Sequence, residues 1–397
     1  MIRSESWGSR VLRAIAMLGV AGLLVSAGTG PVLGASLDRE ALVDLGRALF
    51  FDTNLSADRT QACASCHDPN RGFADGRDNG VGGMASLGGD GKSLGTRNAP
   101  TAAYAAFTPD FHRKADGTYN GGLFLDGRAK DLAAQAGGPP LNPLEMAMPS
   151  KLAVVERLIE SADYRDRFRS LWGDAVFDSP DRAYGAMTRA IAAYERTEEF
   201  SPFTSKYDRF LRGEVPLTRL EELGRVLFFS QQFTNCNICH QLRKQPGAEQ
   251  ETFSTYDYHN IGVPANPALL KAAGVAADAV DDGLLANGAV DDPAMRGRFK
   301  VPSLRNVAVT GPYMHNGVFA DLRTVVEFYN KYNLPEGVPV TNPETGQPWE
   351  APEVAENISL TELRKGRALD AKRIDALVAF MKTLTDERYE DLLAGPR

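Results

Sequence analysis

The chain has 397 residues but only four cysteines, five histidines and three tryptophans. Where such residues are scarce, their placement carries the information. Charge of one sign is not concentrated: 44 Lys and Arg stand against 51 Asp and Glu, a formal net charge of −7. No basic block stands out, which argues against nucleic acid as a partner. After residue 27 no apolar run approaches the roughly 20 residues needed to span a bilayer. Composition excludes a disordered or collagen-like chain, because 43% of residues are hydrophobic and 24% are charged. Strand signals are few. At roughly 150 residues per domain the length suggests two domains, each long enough to bury its own core.

The first 35 residues stand apart. Arg3, Arg10 and Arg13 give a positive start, and residues 14–27 (AIAMLGVAGLLVSA) are apolar. Gly28, Gly30 and Pro31 break the run before the small residues Gly34 and Ala35. This is the layout of a cleaved export signal. The apolar stretch is too short for a membrane anchor. The expectation is a signal peptide over 1–35 and a periplasmic mature protein with no membrane span.

All four cysteines fall in one motif used twice, Cys63-Ala64-Ser65-Cys66-His67 and Cys236-Asn237-Ile238-Cys239-His240. C-x-x-C-H is the attachment signature of c-type haem. Two thiols three apart can each form a thioether to one porphyrin edge, and the adjacent histidine is then held under the iron as its proximal ligand. Disulfides, a four-cysteine zinc site and thioredoxin-like pairs compete, but none accounts for a histidine directly after each pair. Two covalently bound haem c groups are expected, one on Cys63, Cys66 and His67, the other on Cys236, Cys239 and His240.

The surroundings of the motif repeat as well. Residues 42–51 (LVDLGRALFF) and 220–229 (LEELGRVLFF) share most positions, including Gly46/Gly224 and Arg47/Arg225. Apolar residues three and four apart mark each as an amphipathic helix. Downstream, FLDGRAKDL at 124–132 echoes MHNGVFADL at 314–322, aligning Gly127 with Gly317 and Asp131 with Asp321. An internal duplication follows, with domains at 36–199 and 200–397. Further helices are expected at 151–171, 181–199 and 368–385, the last with Ile374, Leu377, Val378, Met381 and Leu384 on one face. Residues 79–95 and 334–352 read as loops. The fold class is all-α: two tandem cytochrome c-like domains with long loops, their haems facing a shared interface.

The two irons are not equivalent. Setting Asp131 on Asp321 places Gln135 opposite Val325 and Pro139 opposite Tyr329. A tyrosine phenolate can ligate haem iron, whereas proline has no side-chain donor. No histidine lies between His67 and His112 to fill the first site. If this position faces the iron in both halves, the second haem is six-coordinate and the first is open to peroxide. Tyr329 as a packed core aromatic is the alternative. Met314 and Met146 read as core, with methionine ligation of the second haem as the rival to Tyr329. His112 and His259 read as structural or surface residues, and His315 as lying near the second haem.

With these features the chain resembles the bacterial dihaem cytochrome c peroxidase/MauG family from about residue 38 to 386. The segments that carry the resemblance are the two haem motifs, RNAPT at 97–101, FLDGRAKDLAAQAGGPPLNPLEM at 124–146, FKVPSLRNVAVTGPYMHNG at 299–317 and the following VVEFYN. The resemblance implies that tyrosine at position 329 belongs to the MauG side, since the family's peroxidases usually use methionine there. It implies that Glu145 and Gln135 line the distal side of the first haem, with Pro139 beside them. Glu145 would move a proton between the two oxygens of H2O2, and Gln135 would orient peroxide or water. It implies one Ca2+ between the haems, held by the Asn98 side-chain oxygen and the main-chain carbonyls of Thr310 and Pro312, hard oxygen ligands of the kind calcium takes. One departure stands out. Family members commonly carry tryptophan before the Asp-Gly-Arg as a stepping stone for electrons, and here that residue is Leu125, which cannot become a radical. Phe124 beside it is hard to oxidise.

The expected function is reduction of H2O2 at the first haem, with electrons relayed through the second from a cytochrome c or a cupredoxin. The alternatives are a MauG-like enzyme that oxidises tryptophans of a partner protein, and a non-catalytic dihaem electron carrier. The resemblance allows a homodimer.

Overall fold

The computed structural model describes residues 32–242, 247 and 249–395. Residues 1–31, most of the expected export segment, lie outside the described residues. In the first half the helices are α1 (Val32–Phe50), α2 (Cys63–Cys66), α3 (Leu132–Ala136), α4 (Lys151–Glu160), α5 (Ala162–Trp172) and α6 (Pro180–Tyr194). The second half contributes α7 (Lys206–Leu211), α8 (Arg219–Phe228), α9 (Cys236–Cys239), α10 (Pro267–Ala272), α11 (Leu322–Asn330), α12 (Leu360–Leu363) and α13 (Ala371–Lys382). Strands β1 (His112–Arg113) and β2 (Tyr119–Asn120) form one short antiparallel ribbon, and β3 (Tyr258–His259) and β4 (Phe299–Lys300) another. The fold is all-α, as the sequence suggested. Among the described residues, no helix is long and apolar enough to cross a membrane.

Side-chain caps set the helix boundaries. The single helix expected over 151–171 is two. Ser161 ends α4 and its hydroxyl accepts from the Tyr164 N–H, capping α5, so a good N-cap wins over continued helical spacing. The helix expected to reach 199 stops at Tyr194. Thr218 and Glu221 close a capping box at the start of α8.

The duplication is visible in three dimensions. α1 crosses α6 in the first half, and α8 crosses α13 in the second. Both crossings close on a glycine. A Cβ on Gly46 would lie 1.9 Å from the Ala190 carbonyl oxygen, and one on Gly224 would lie 1.9 Å from that of Ala376. Only glycine permits that approach. The FLDGRAKDL/MHNGVFADL echo is a repeated turn: Leu123 bridges Ala129 as Tyr313 bridges Phe319. Asp131 caps α3 and Asp321 caps α11.

Each half has its own apolar cluster. Leu45, Leu49, Phe50, Phe73, Tyr194 and Phe200 belong to the first, where Phe73 stacks on Phe200 at 4.0 Å. Leu227, Phe228, Phe253, Leu377 and Phe380 belong to the second. Between them runs a polar seam. The Tyr104 hydroxyl donates to Asp386 at 2.8 Å, and Asn306 donates to the other oxygen of the same carboxylate at 2.9 Å. Arg305, 1% exposed, forks onto Asp208 at 2.5 and 2.9 Å. The same guanidinium lies over the rings of Tyr104, Phe203 and Phe253.

Candidate active site

In each half a single helical turn, α2 or α9, carries the two cysteines, and the histidine is its C-cap. Residues three apart on a turn share a face, so both thiols point the same way. The four cysteines are unpaired, and burial pushes Cys63 and Cys239 up to about 12. Among the described residues, no group of three or more His, Cys, Asp or Glu converges as a metal centre, so the four cysteines do not build a zinc site together.

The two histidines are held identically. His67 Nδ1 meets the Phe73 carbonyl at 3.2 Å, and His240 Nδ1 meets that of Phe253 at 3.1 Å. A carbonyl only accepts, so Nδ1 carries the proton and Nε2 keeps its lone pair for a metal. Burial lowers both, His240 to about 4, which keeps each ring neutral. Neutral imidazole with a fixed tautomer is the form that ligates iron.

Beside His240 opens a cavity of about 360 Å³. Cys236, Cys239, His240 and Tyr329 all line it. Tyr329 lies on α11, and burial first, then the two thiols, pushes its phenol above the usual value. Met314 lines the same cavity, while Met146 is buried in the first core. The donor set and the apolar walls fit a c-type haem: two thiols at one edge, a neutral imidazole and a phenol. The first half departs where Tyr329 has its counterpart. α3 ends at Ala136, and Gly137, Gly138, Pro139 and Pro140 replace further helix with a 3₁₀ turn over Pro139–Leu141.

Glu145 follows that turn. Asn142 Nδ2 donates to its Oε1 at 2.7 Å, and its carbonyl accepts from the Gly89 N–H at 2.7 Å. Burial raises its carboxyl, offset in part by Asn142 and Arg128. The carboxylate acts electrostatically on both Cys63 and Cys66, so it lies at the first haem motif. Gln135, half-buried, is the last residue but one of α3.

Asn98, Thr310 and Pro312 line the wall of the large cavity with Leu125 and Phe124. The Asn98 amide nitrogen meets the Gly83 and Met84 carbonyls, each at 3.3 Å, which turns its oxygen the other way. His315 stacks on Phe299 at 3.8 Å and meets Glu353 at 3.1 Å. Sequence reasoning missed His259. It is not a bystander: it lines the cavity, meets Ser359 Oγ at 3.1 Å and acts on His240. It also missed Lys300, which lines the cavity and donates to the Gly122 carbonyl at 2.6 Å. Neither residue sits in a motif. His112 is exposed and meets the Asp110 carbonyl.

A family model for di-haem cytochrome c peroxidase matches residues 40–216. The chain is 54% identical over 387 residues to the methylamine utilization protein MauG of Paracoccus denitrificans, covering 98% of this chain and 99% of that one. It is 28% identical to the cytochrome c551 peroxidase of Nitrosomonas europaea, over 90% of this chain and 84% of the other. Among solved structures, the diheme peroxidase BthA of Burkholderia thailandensis superposes with a TM-score of 0.76 at 32% identity, covering 88% and 87% of the two chains. The chain is thus a dihaem oxidoreductase and belongs to the di-haem cytochrome c peroxidase/MauG family.

Proposed function

We propose that this enzyme uses H2O2 as its oxidant and acts on a partner protein, in the manner of MauG, with a first haem site that offers no side-chain donor opposite His67 and a second in which Tyr329 would complement His240. One observation carries the reading. Tyr329 shares a cavity with Cys236, Cys239 and His240, whereas the matching segment of the first half leaves the helix at Gly137 and offers Pro139. Cys63, Cys66 and His67 would hold one haem and Cys236, Cys239 and His240 the other, and the haems would supply the redox chemistry. The division at residue 199/200 is supported by the two separate cores, and the export signal at 1–35 directs the enzyme to the periplasm.

The chain's own groups do the acid–base work. Glu145 takes a proton from one peroxide oxygen at its carboxylate and returns it to the other, which makes water the leaving group. Asn142 holds that carboxylate by its Oε1. Gln135 orients peroxide from the α3 side. Asn98, Thr310 and Pro312, which share the cavity wall, would hold one Ca2+ through amide and main-chain oxygens.

A second reading keeps the peroxide chemistry but takes electrons from a cytochrome c or a cupredoxin. Leu125 favours it, because a leucine in the cavity wall offers no oxidisable ring to an electron moving between the haems. EPR of the resting ferric protein tests the first reading. Wild type should show one high-spin and one low-spin haem, and Tyr329→Phe should change the low-spin signal alone. Two low-spin haems at rest would overturn it. Rapid steady-state turnover with reduced cytochrome c and H2O2 would favour the second reading.

A further inference from the structure

Glu195 is a buried acid that the mechanism above does not use. Glu195, the C-cap of α6, is 5% exposed. Its Oε2 is buried and has no hydrogen-bond partner. The carboxylate acts on Cys63, and after burial itself it is the largest influence on that thiol. An unpaired carboxyl in an apolar interior is costly, so its persistence at one haem motif calls for a use.

The duplication shows where it points. α6 and α13 meet their partner helices through the same contact, Ala190 against Gly46 and Ala376 against Gly224. Tyr194 and Phe380 supply the next contact, their Cβ atoms lying 3.0 and 2.8 Å from those glycine positions. One residue further on, Glu195 corresponds to Met381. Met381 lines the cavity that holds Cys236, Cys239 and His240. By the same register, Glu195 belongs to the haem-facing wall of the first half. Where the second half has a thioether, the first half has an acid.

We propose that Glu195 is the proton-holding group of the first haem pocket, taking up a proton when the first iron gains an electron. This rests on the haem assignment made above. The step balances: iron(III) becomes iron(II) with one electron from the donor by way of the second haem, and the Glu195 carboxylate becomes a carboxylic acid with one proton from solvent. The charge of the pocket is then unchanged by reduction. Peroxide reduction consumes two electrons and two protons, so a group that pairs one with one matches what the open haem needs. The second pocket, with Met381, passes electrons without protons.

Among the described residues no charged side chain pairs with Glu195, although the Arg196 guanidinium partly offsets the effect of burial on its carboxyl. Arg196, next in the chain, donates to the Ala192 carbonyl. Arg47 of α1 is turned to Glu199. Lys151 of α4 pairs with Asp181, and Arg189 lies over Trp172 of α5. Asp131, the cap of α3, accepts from the Ala134 N–H. Cys63 and the Tyr184 phenol, which donates to the Gly137 carbonyl, are neutral. Burial pushes the Glu195 carboxyl up to about 8, within the range where a redox-linked proton matters.

The test is a spectroelectrochemical titration of the holoprotein against pH, reading the high-spin and low-spin haems separately. Wild type should show a first-haem potential that falls as pH rises around 8, and a second-haem potential that does not. Below that range the carboxyl is protonated in both states, so the dependence flattens. Glu195→Gln should abolish the fall while leaving the low-spin potential in place. Met381→Glu should transfer a pH dependence to the second haem, which keeps the idea testable if Glu195→Gln folds poorly. An unchanged slope in Glu195→Gln, with two haems present by pyridine haemochromogen, overturns the proposal. Absence of covalent haem would instead overturn the assignment on which it stands.

Discussion

Glu145 and Tyr329 hold opposite sides of the proposed division of labour, and each can be removed without removing a haem ligand from the other site. Glu145→Gln keeps the shape and the Asn142 contact but loses the base. The expected result is a peroxide reaction slower by about 10²- to 10⁴-fold, measured by stopped-flow, with the low-spin spectrum unchanged. The pH profile gives a second reading. Burial raises this carboxyl, so it protonates at a higher pH than a free carboxylate. The rate should fall as pH falls through that raised value, and the acid limb should disappear in Glu145→Gln. At this scale the sequence was informative where chemistry fixes a spacing. C-x-x-C-H implies two thiols and an imidazole on one turn, and the structure has that turn at Cys63–Cys66 and at Cys236–Cys239. Glu145 and Gln135 are proposed only through resemblance, because a lone acid on a loop has no signature. Glu195, His259 and Lys300 were not legible, since the pockets that give them meaning are assembled from distant segments.

The helix pairs α1/α6 and α8/α13 are the elements on which the haem motifs hang. Their crossings depend on Gly46 and Gly224, whose missing Cβ atoms leave room for a carbonyl. Gly224→Ala should destabilise the second half by about 1–3 kcal/mol through overpacking, seen as a lowered thermal midpoint. The low-spin haem signal should broaden before the high-spin one. The LGR-x-LFF repeat marked α1 and α8 as equivalent amphipathic helices, but not the crossings that their glycines allow. The boundary between α4 and α5 was not announced. Apolar spacing continues through it, and only the Ser161 cap interrupts the helix.

The whole molecule is joined along the seam of Tyr104, Asp208, Arg305, Asn306 and Asp386. Arg305 and Asp208 are both almost fully buried, and removing one partner strands the other. Arg305→Met should cost about 3–5 kcal/mol and lower the unfolding midpoint in calorimetry. The double variant Arg305→Met with Asp208→Leu should recover much of that loss, because the cost lies in the uncompensated charge. If both variants are equally unstable, the pair supplies geometry that apolar packing cannot. Nothing in the sequence marked this seam. Arg305 sits inside SLRNV, and its partner lies about a hundred residues earlier.

The early end of α3 has an evolutionary reading. In the second half, α11 carries the helix on to Tyr329. In the first, Gly137 and Gly138 end the helix before the equivalent position, which is Pro139, and Pro140 follows it. Writing a tyrosine at 139 would place it on a differently directed backbone. Pro139→Tyr is therefore expected to leave the high-spin signal intact. The ancestral symmetry was broken in the chain path rather than in one side chain, so no single codon change leads back.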